Sequence, residues 1–162
     1  MARALLVGCG CRGRTLGAEL IGQGWAVRGT SRTDEGAAAI EAAGIEPAIA
    51  DPERPGTVLD LVGDVAVIAW LLGSASGEPQ AMAAIHGPRL ASLLEKLVDT
   101  PVRGFLYEAR GSVPVEIVGM GTRLVEEASE RWRIPHRILS SDPGDPSRWT
   151  RDARLAVAEL VG

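Results

Sequence analysis

Gly8, Gly10 and Gly13 stand in the spacing Gly-x-Gly-x-x-Gly, directly after the apolar run Ala4-Leu-Leu-Val7 and directly before apolar residues at helical spacing, Leu16, Leu20 and Ile21. In that context the pattern suits the holding of a pyrophosphate. Gly8 turns the chain sharply out of a strand, Gly10 leaves no side chain between backbone and phosphate, and Gly13 lets the helix lie close to the sheet. The first N–H groups of that helix lack partners within it, and its dipole brings partial positive charge to the same spot. Dinucleotide binding is the expectation, the other reading being a glycine-rich turn that merely tightens a strand–helix unit.

Which dinucleotide is read from the next strand. A site selective for NAD ends its second strand with a carboxylate for the ribose 2′-hydroxyl. Trp25-Ala-Val-Arg-Gly-Thr-Ser-Arg32 runs through that position without one, and Arg32 stands there instead. Arg32 with Arg12 would clamp a 2′-phosphate through two guanidinium forks, which favours NADP, with NAD as the alternative. Asp34 reads as a helix-start residue, or as a ribose ligand if the strand runs longer. Asp51 falls where an adenine edge would lie, and Arg28, inside the strand, reads as an exposed charge.

Other reactive side chains are few. Glu108 and Arg110 fall at the carboxyl end of a predicted strand, where open α/β sheets place their chemistry. There Glu108 would serve as acid or base and Arg110 as an oxyanion clamp; the alternative is a surface ion pair. Tyr107 reads as a core aromatic and His86, beside Gly87-Pro88, as a turn residue. Trp70 stands either beside a nicotinamide ring or buried at a strand end. Cys9 and Cys11 are too splayed by a helix-entering turn to bridge. They read as reduced thiols filling the loop, or as a redox-responsive thiol at a helix N-terminus. With only His86 and His136 to add, no metal site is expected.

The elements that must position these residues follow from the hydropathy pattern. Strands are predicted near 3–7, 25–30, 46–50, 64–70, 102–107 and 135–140. Helices are predicted near 14–23, 33–43, 79–98, 119–132 and 148–161, with a short turn near 57–62 and a division of the fourth segment by Pro79 and Pro88. Alternation of strand and helix with right-handed crossovers implies an α/β fold, a doubly wound parallel sheet of six strands in the order 3-2-1-4-5-6, with ligands at the carboxyl ends of strands 1 and 4. The loops Leu72–Gly77 and Asp142–Pro146 would rim that site. The 162 residues, 46% hydrophobic and 23% charged, suit a single domain over 1–162 with a minimal or absent substrate domain. A net charge of −4 argues against nucleic-acid and membrane-surface binding. With no leader pattern and no apolar run near ~18 residues, a cytoplasmic protein is expected.

These segments together resemble the short-chain dehydrogenase/reductase superfamily in its atypical NAD(P)-dependent epimerase/dehydratase-like branch, over nearly the whole chain. Val27-Arg-Gly-Thr-Ser-Arg32 resembles the second strand with its cofactor-selecting arginine, and Pro47-Ala-Ile-Ala-Asp51 the third with its aspartate. Val65-Ala-Val-Ile-Ala-Trp70 resembles the fourth strand beside the nicotinamide, Gly104-Phe-Leu-Tyr107 the fifth, and Ile134-Pro-His-Arg-Ile-Leu139 the sixth. The resemblance implies an oxidoreductase whose tyrosine, followed four residues later by lysine, exchanges a proton with a small-molecule substrate. Here the one Tyr and the one Lys are Tyr107 and Lys96, in the wrong order, and Gly119 and Arg123 stand at the matching helix positions. Arg123 would hold a ribose hydroxyl as the family lysine does, or pair with Glu126 or Glu127 on the helix. Three readings remain: an oxidoreductase using a residue such as Glu108, a non-catalytic protein reporting the NADP state to a protein partner, and an assembly subunit. The substrate, the partner and any homo-oligomer stay open.

Overall fold

Successive apolar strands joined by amphipathic helices satisfy backbone and core together only if the strands lie parallel with helices on both faces. The computed structural model, which describes residues 1–162, has that arrangement. The chain runs β1 (Arg3–Val7), α1 (Cys11–Gly22), β2 (Ala26–Ser31), α2 (Asp34–Ala42), β3 (Glu46–Ile49), α3 (Pro55–Leu59), β4 (Val67–Trp70), α4 (Pro79–Ile85), α5 (Pro88–Lys96), β5 (Gly104–Glu108), α6 (Val115–Trp132), β6 (His136–Leu139) and α7 (Pro146–Val161), with a 3₁₀ turn at Leu97–Asp99. All six strands are parallel, in the order β3-β2-β1-β4-β5-β6. This is the doubly wound Rossmann-like sheet expected, with its order reversing between β1 and β4.

Alternation along the strands splits the core in two. Leu5, Val7, Ile68, Trp70, Phe105 and Tyr107 face the layer of α3 to α6. Ala4, Leu6, Val67, Ala69, Leu106 and Leu139 face the layer of α1, α2 and α7. Close approach of α1 to the sheet is owed to Gly17, whose Cβ would run into Ile45 and approach Val27; a Cβ on Gly13 would meet nothing nearer than Cys9 Sγ at 3.4 Å. The packing role expected of Gly13 therefore falls one turn later.

Element boundaries shift for local reasons. Helix α1 opens at Cys11 rather than near 14, which puts Arg12 and Gly13 in its first turn. Helix α6 opens at Val115 rather than near 119, immediately after Pro114, because proline disfavours helix in the residue before it and begins one readily. The segment near 79–98 divides at His86 and Gly87 into α4 and α5, each opening on its proline. At the amino end of the sheet Arg28 is mostly buried rather than an exposed charge, donating to Asp64, Glu46 and the Leu61 carbonyl. These bonds hold its guanidinium charged, far from the carboxyl end where ligands sit. No helix is long and apolar enough to cross a membrane.

Candidate functional site

The glycine loop leaves β1 through Gly8, whose φ of +83° is a left-handed conformation that disfavours other residues. Its N–H donates to Thr30 Oγ1, and Cys9 N–H donates to the Thr30 carbonyl, so β2 fixes the loop. Gly10 then forms the N-cap of α1 with ordinary dihedrals, φ −82° and ψ −156°, and no protein atom lies within 4 Å of where its Cβ would be. No side chain caps this helix, and its first turn carries no acid. Helices α2 and α7 are capped by Thr33 and Asp145, which accept from Gly36 N–H and Arg148 N–H. The α1 end thus presents free donors to a cleft of about 350 Å³.

That cleft runs from Gly8, Cys9, Gly10 and Arg12 across the ends of β2 and β3, and is closed above by Leu72, Ser74–Ser76, Met82 and Ile85. Arg32 and Asp51 both line it, as does Arg14, which the sequence reading passed over although it follows the third glycine directly. Neither Arg14 nor Arg32 joins any ion pair. Strand β2 ends at Ser31, whose hydroxyl accepts from Thr33 N–H, and Asp34 opens α2 outside the cleft, as a helix-start acid does. Asp51 Oδ1 accepts from Glu53 N–H, which turns its carboxylate beside the cleft wall. Groups able to hold a phosphate-bearing ligand are therefore present: an open glycine, an uncapped helix end and two guanidinium groups outside any ion pair.

On the other side of β1 the arrangement is closed. Glu108, the last residue of β5, is buried, with Oε1 accepting from Gly73 N–H at 2.9 Å and Oε2 from Trp149 Nε1–H at 2.8 Å. Burial pushes its carboxyl above the usual range, opposed by those two donors and by Arg12. Arg12 lies with its guanidinium 5.5 Å over the Trp149 ring and Nη2 4.0 Å from Glu108 Oε2. Arg12 lines the same cleft as Arg32, but its guanidinium rests against Trp149 and Glu108. The loops after β4 and β5 press together: Val113 N–H donates to the Gly73 carbonyl, and a Cβ on Gly111 would strike it.

Several candidates lie away from the cleft. Trp70 is wholly buried, donates from Nε1 to the Ile85 carbonyl and packs against Phe105, so it is core rather than a stacking platform. Arg110 is exposed and pairs with Asp142, not Glu108; Arg123 is exposed on α6 and does not line the cleft. Tyr107 and His86, each read separately, form one buried unit. His86 Nε2 meets the Leu72 carbonyl at 3.0 Å, which only accepts, so Nδ1 accepts from the Tyr107 hydroxyl at 2.6 Å. Burial lowers the imidazole pKa and raises that of the phenol, keeping both neutral. The Tyr107 oxygen occupies the space left by Gly121 of α6. Cys9 is buried and its thiol is pushed up to about 11, which leaves it inert as a nucleophile; Cys11 is exposed.

No family model matches the chain, and no curated protein matches it by sequence. Solved structures do match. UDP-glucuronic acid 4-epimerase from Bacillus cereus, in complex with NAD, superposes with a TM-score of 0.68 at 16% identity, over 84% of this chain and 54% of that one. UDP-glucose 4-epimerase from Thermotoga maritima gives 0.70 at 14% identity, over 84% and 54%. Triphenylmethane reductase from Citrobacter sp., complexed with NADP(H), gives 0.62 at 16% identity, over 85% and 49%. The chain spans about half the length of these proteins. At such identities the likeness establishes a shared fold.

Proposed function

We propose that this chain binds a nicotinamide dinucleotide along the carboxyl ends of β1, β2 and β3, with NADP(H) preferred to NAD(H), as a relative of the epimerase/dehydratase-like oxidoreductases it resembles. The observation that carries this reading is Gly10. It is the N-cap of α1, with no side-chain cap on that helix, it lines the cleft and nothing in the protein fills the space at its Cβ position, so a phosphate can approach the backbone and the free helix N–H groups there. The Gly8–Gly13 loop and the free end of α1 would hold the pyrophosphate. Asp51 would bound the adenine end, and Arg32 with Arg14, rather than Arg12, would take the 2′-phosphate. Two of the solved structures that share this fold are complexes with NAD and with NADP(H).

When bound, such a cofactor supplies or accepts hydride. The second reading, a protein that reports the cofactor's state to a partner without turnover, is favoured by the other side of β1. Tyr107, Lys96 and Glu108 offer no proton-exchanging pair there: Tyr107 is committed to His86, and both Glu108 oxygens are taken.

Calorimetric titration with NADPH and NADH tests the proposal. NADPH should bind tighter by about tenfold or more, and Arg32→Ala should remove about 1.5–3 kcal/mol of that binding with little effect on NADH. Equal affinities would sink the 2′-phosphate assignment, and absence of binding to either would sink the dinucleotide reading.

A further inference from the structure

Resting on the dinucleotide reading, we infer that Arg12 is a gate between the two halves of the site. The ADP-ribose portion of the ligand enters the open cleft with every side chain in place, and the ring portion enters only when Arg12 leaves Trp149. Arg12 lines both compartments: the cleft of about 350 Å³ and a second one of about 70 Å³ formed with Gly8, Gly10, Leu71, Glu108 and Trp149. Small-molecule pockets begin near ~300 Å³, so the second compartment, at about 70 Å³, is far below the size that takes a ring with its ribose.

The closed position is held by two contacts, the guanidinium over the Trp149 ring and Nη2 at 4.0 Å from Glu108 Oε2. It is also incomplete, because Arg12 Nε is buried without a hydrogen-bond partner. An anion arriving at the free end of α1, in whose first turn Arg12 sits, offers that guanidinium a better acceptor than a carboxylate oxygen 4.0 Å away. Departure of Arg12 removes the cation facing Glu108 but leaves both carboxyl oxygens bonded, to Gly73 N–H and Trp149 Nε1–H.

The test compares NADP⁺ with 2′-phospho-ADP-ribose, the same molecule without its ring, by calorimetry on the full chain and on Arg12→Ala. In the parent chain the two should bind within about threefold of one another, and in Arg12→Ala the dinucleotide should gain about tenfold relative to the truncated ligand. Loss of an Arg12–phosphate contact would weaken both ligands alike, so the ratio reads the gate. A shift in the ratio below about threefold, with both ligands bound, overturns the gate and leaves dinucleotide binding standing. Failure of both ligands to bind either protein overturns the dinucleotide reading, and the gate falls with it.

Discussion

Glycines on the two sides of β1 serve opposite ends. Gly10, facing the ends of β2 and β3, has empty space where a Cβ would point, whereas Gly73, Gly111 and Gly121, on the β4–β5 side, are pressed against Arg110 and Glu108, the Gly73 carbonyl, and the Tyr107 hydroxyl. The charged groups divide in the same way. Arg14 and Arg32 stand unpaired at the open cleft, while Glu108 is buried with a donor on each oxygen. One side of the carboxyl edge keeps room and unspent donors for a ligand, and the other has used its polar groups to tie β4, β5, α6 and α7 together. A side chain that is already satisfied and buried adds to stability; one left without a partner at a cleft is available for binding.

That contrast is broken most directly at Glu108. Glu108→Ala leaves Gly73 N–H and Trp149 Nε1–H without acceptors in the interior and should cost about 4 kcal/mol of unfolding free energy, read from denaturant melts. Glu108→Gln keeps one acceptor and reveals the charge. Burial holds the folded carboxyl above its unfolded pKa, so its contribution is complete below the ordinary glutamate range and is lost as pH rises through the raised value. The stability advantage of the parent chain over Glu108→Gln should therefore shrink as pH rises from the ordinary glutamate range through the raised one. A constant advantage would mean that the site is not desolvated.

Gly121→Ala comes next, because its methyl group must displace the Tyr107 hydroxyl; a loss of about 3 kcal/mol is expected, eased when Tyr107→Phe removes that oxygen. Gly10→Val is the counterpart on the open side. Its melting temperature should stay with the parent's while dinucleotide affinity falls about 100-fold, or about 2.7 kcal/mol. A melting temperature that fell with the affinity would make Gly10 a folding glycine like Gly121 and erase the contrast. Smallest of all is Arg110→Ala, which breaks an exposed 3.6 Å pair with Asp142 and should change stability by less than about 0.5 kcal/mol.

Strand order, the glycine loop and the proline-marked division of α4 from α5 were legible in the chain because each depends on near neighbours or on a rule of chain connection. Local spacing placed Arg12 in the glycine loop. It carried no sign that α7, more than a hundred residues later, would bring Trp149 under that guanidinium. For the same reason Arg14 went unnoticed beside Arg12, although both follow the same turn. Tyr107 and His86 were each sensibly read as structural, yet their partnership crosses from β5 to the end of α4. Trp70 at the end of β4 was open to two readings, and only the pleat, which points it into the α3–α6 layer, chose between them.

By itself the sequence determined the element types, the parallel order, the sharp turn at Gly8 and a helix end free to meet an anion, since backbone geometry and hydropathy period are written within a few residues. Tertiary structure decided which charges remained free. Whether Arg12, Arg32 or Glu108 is available to a ligand depends on what distant segments place within hydrogen-bond reach and on how much water they exclude, and no local pattern of residues contains either quantity.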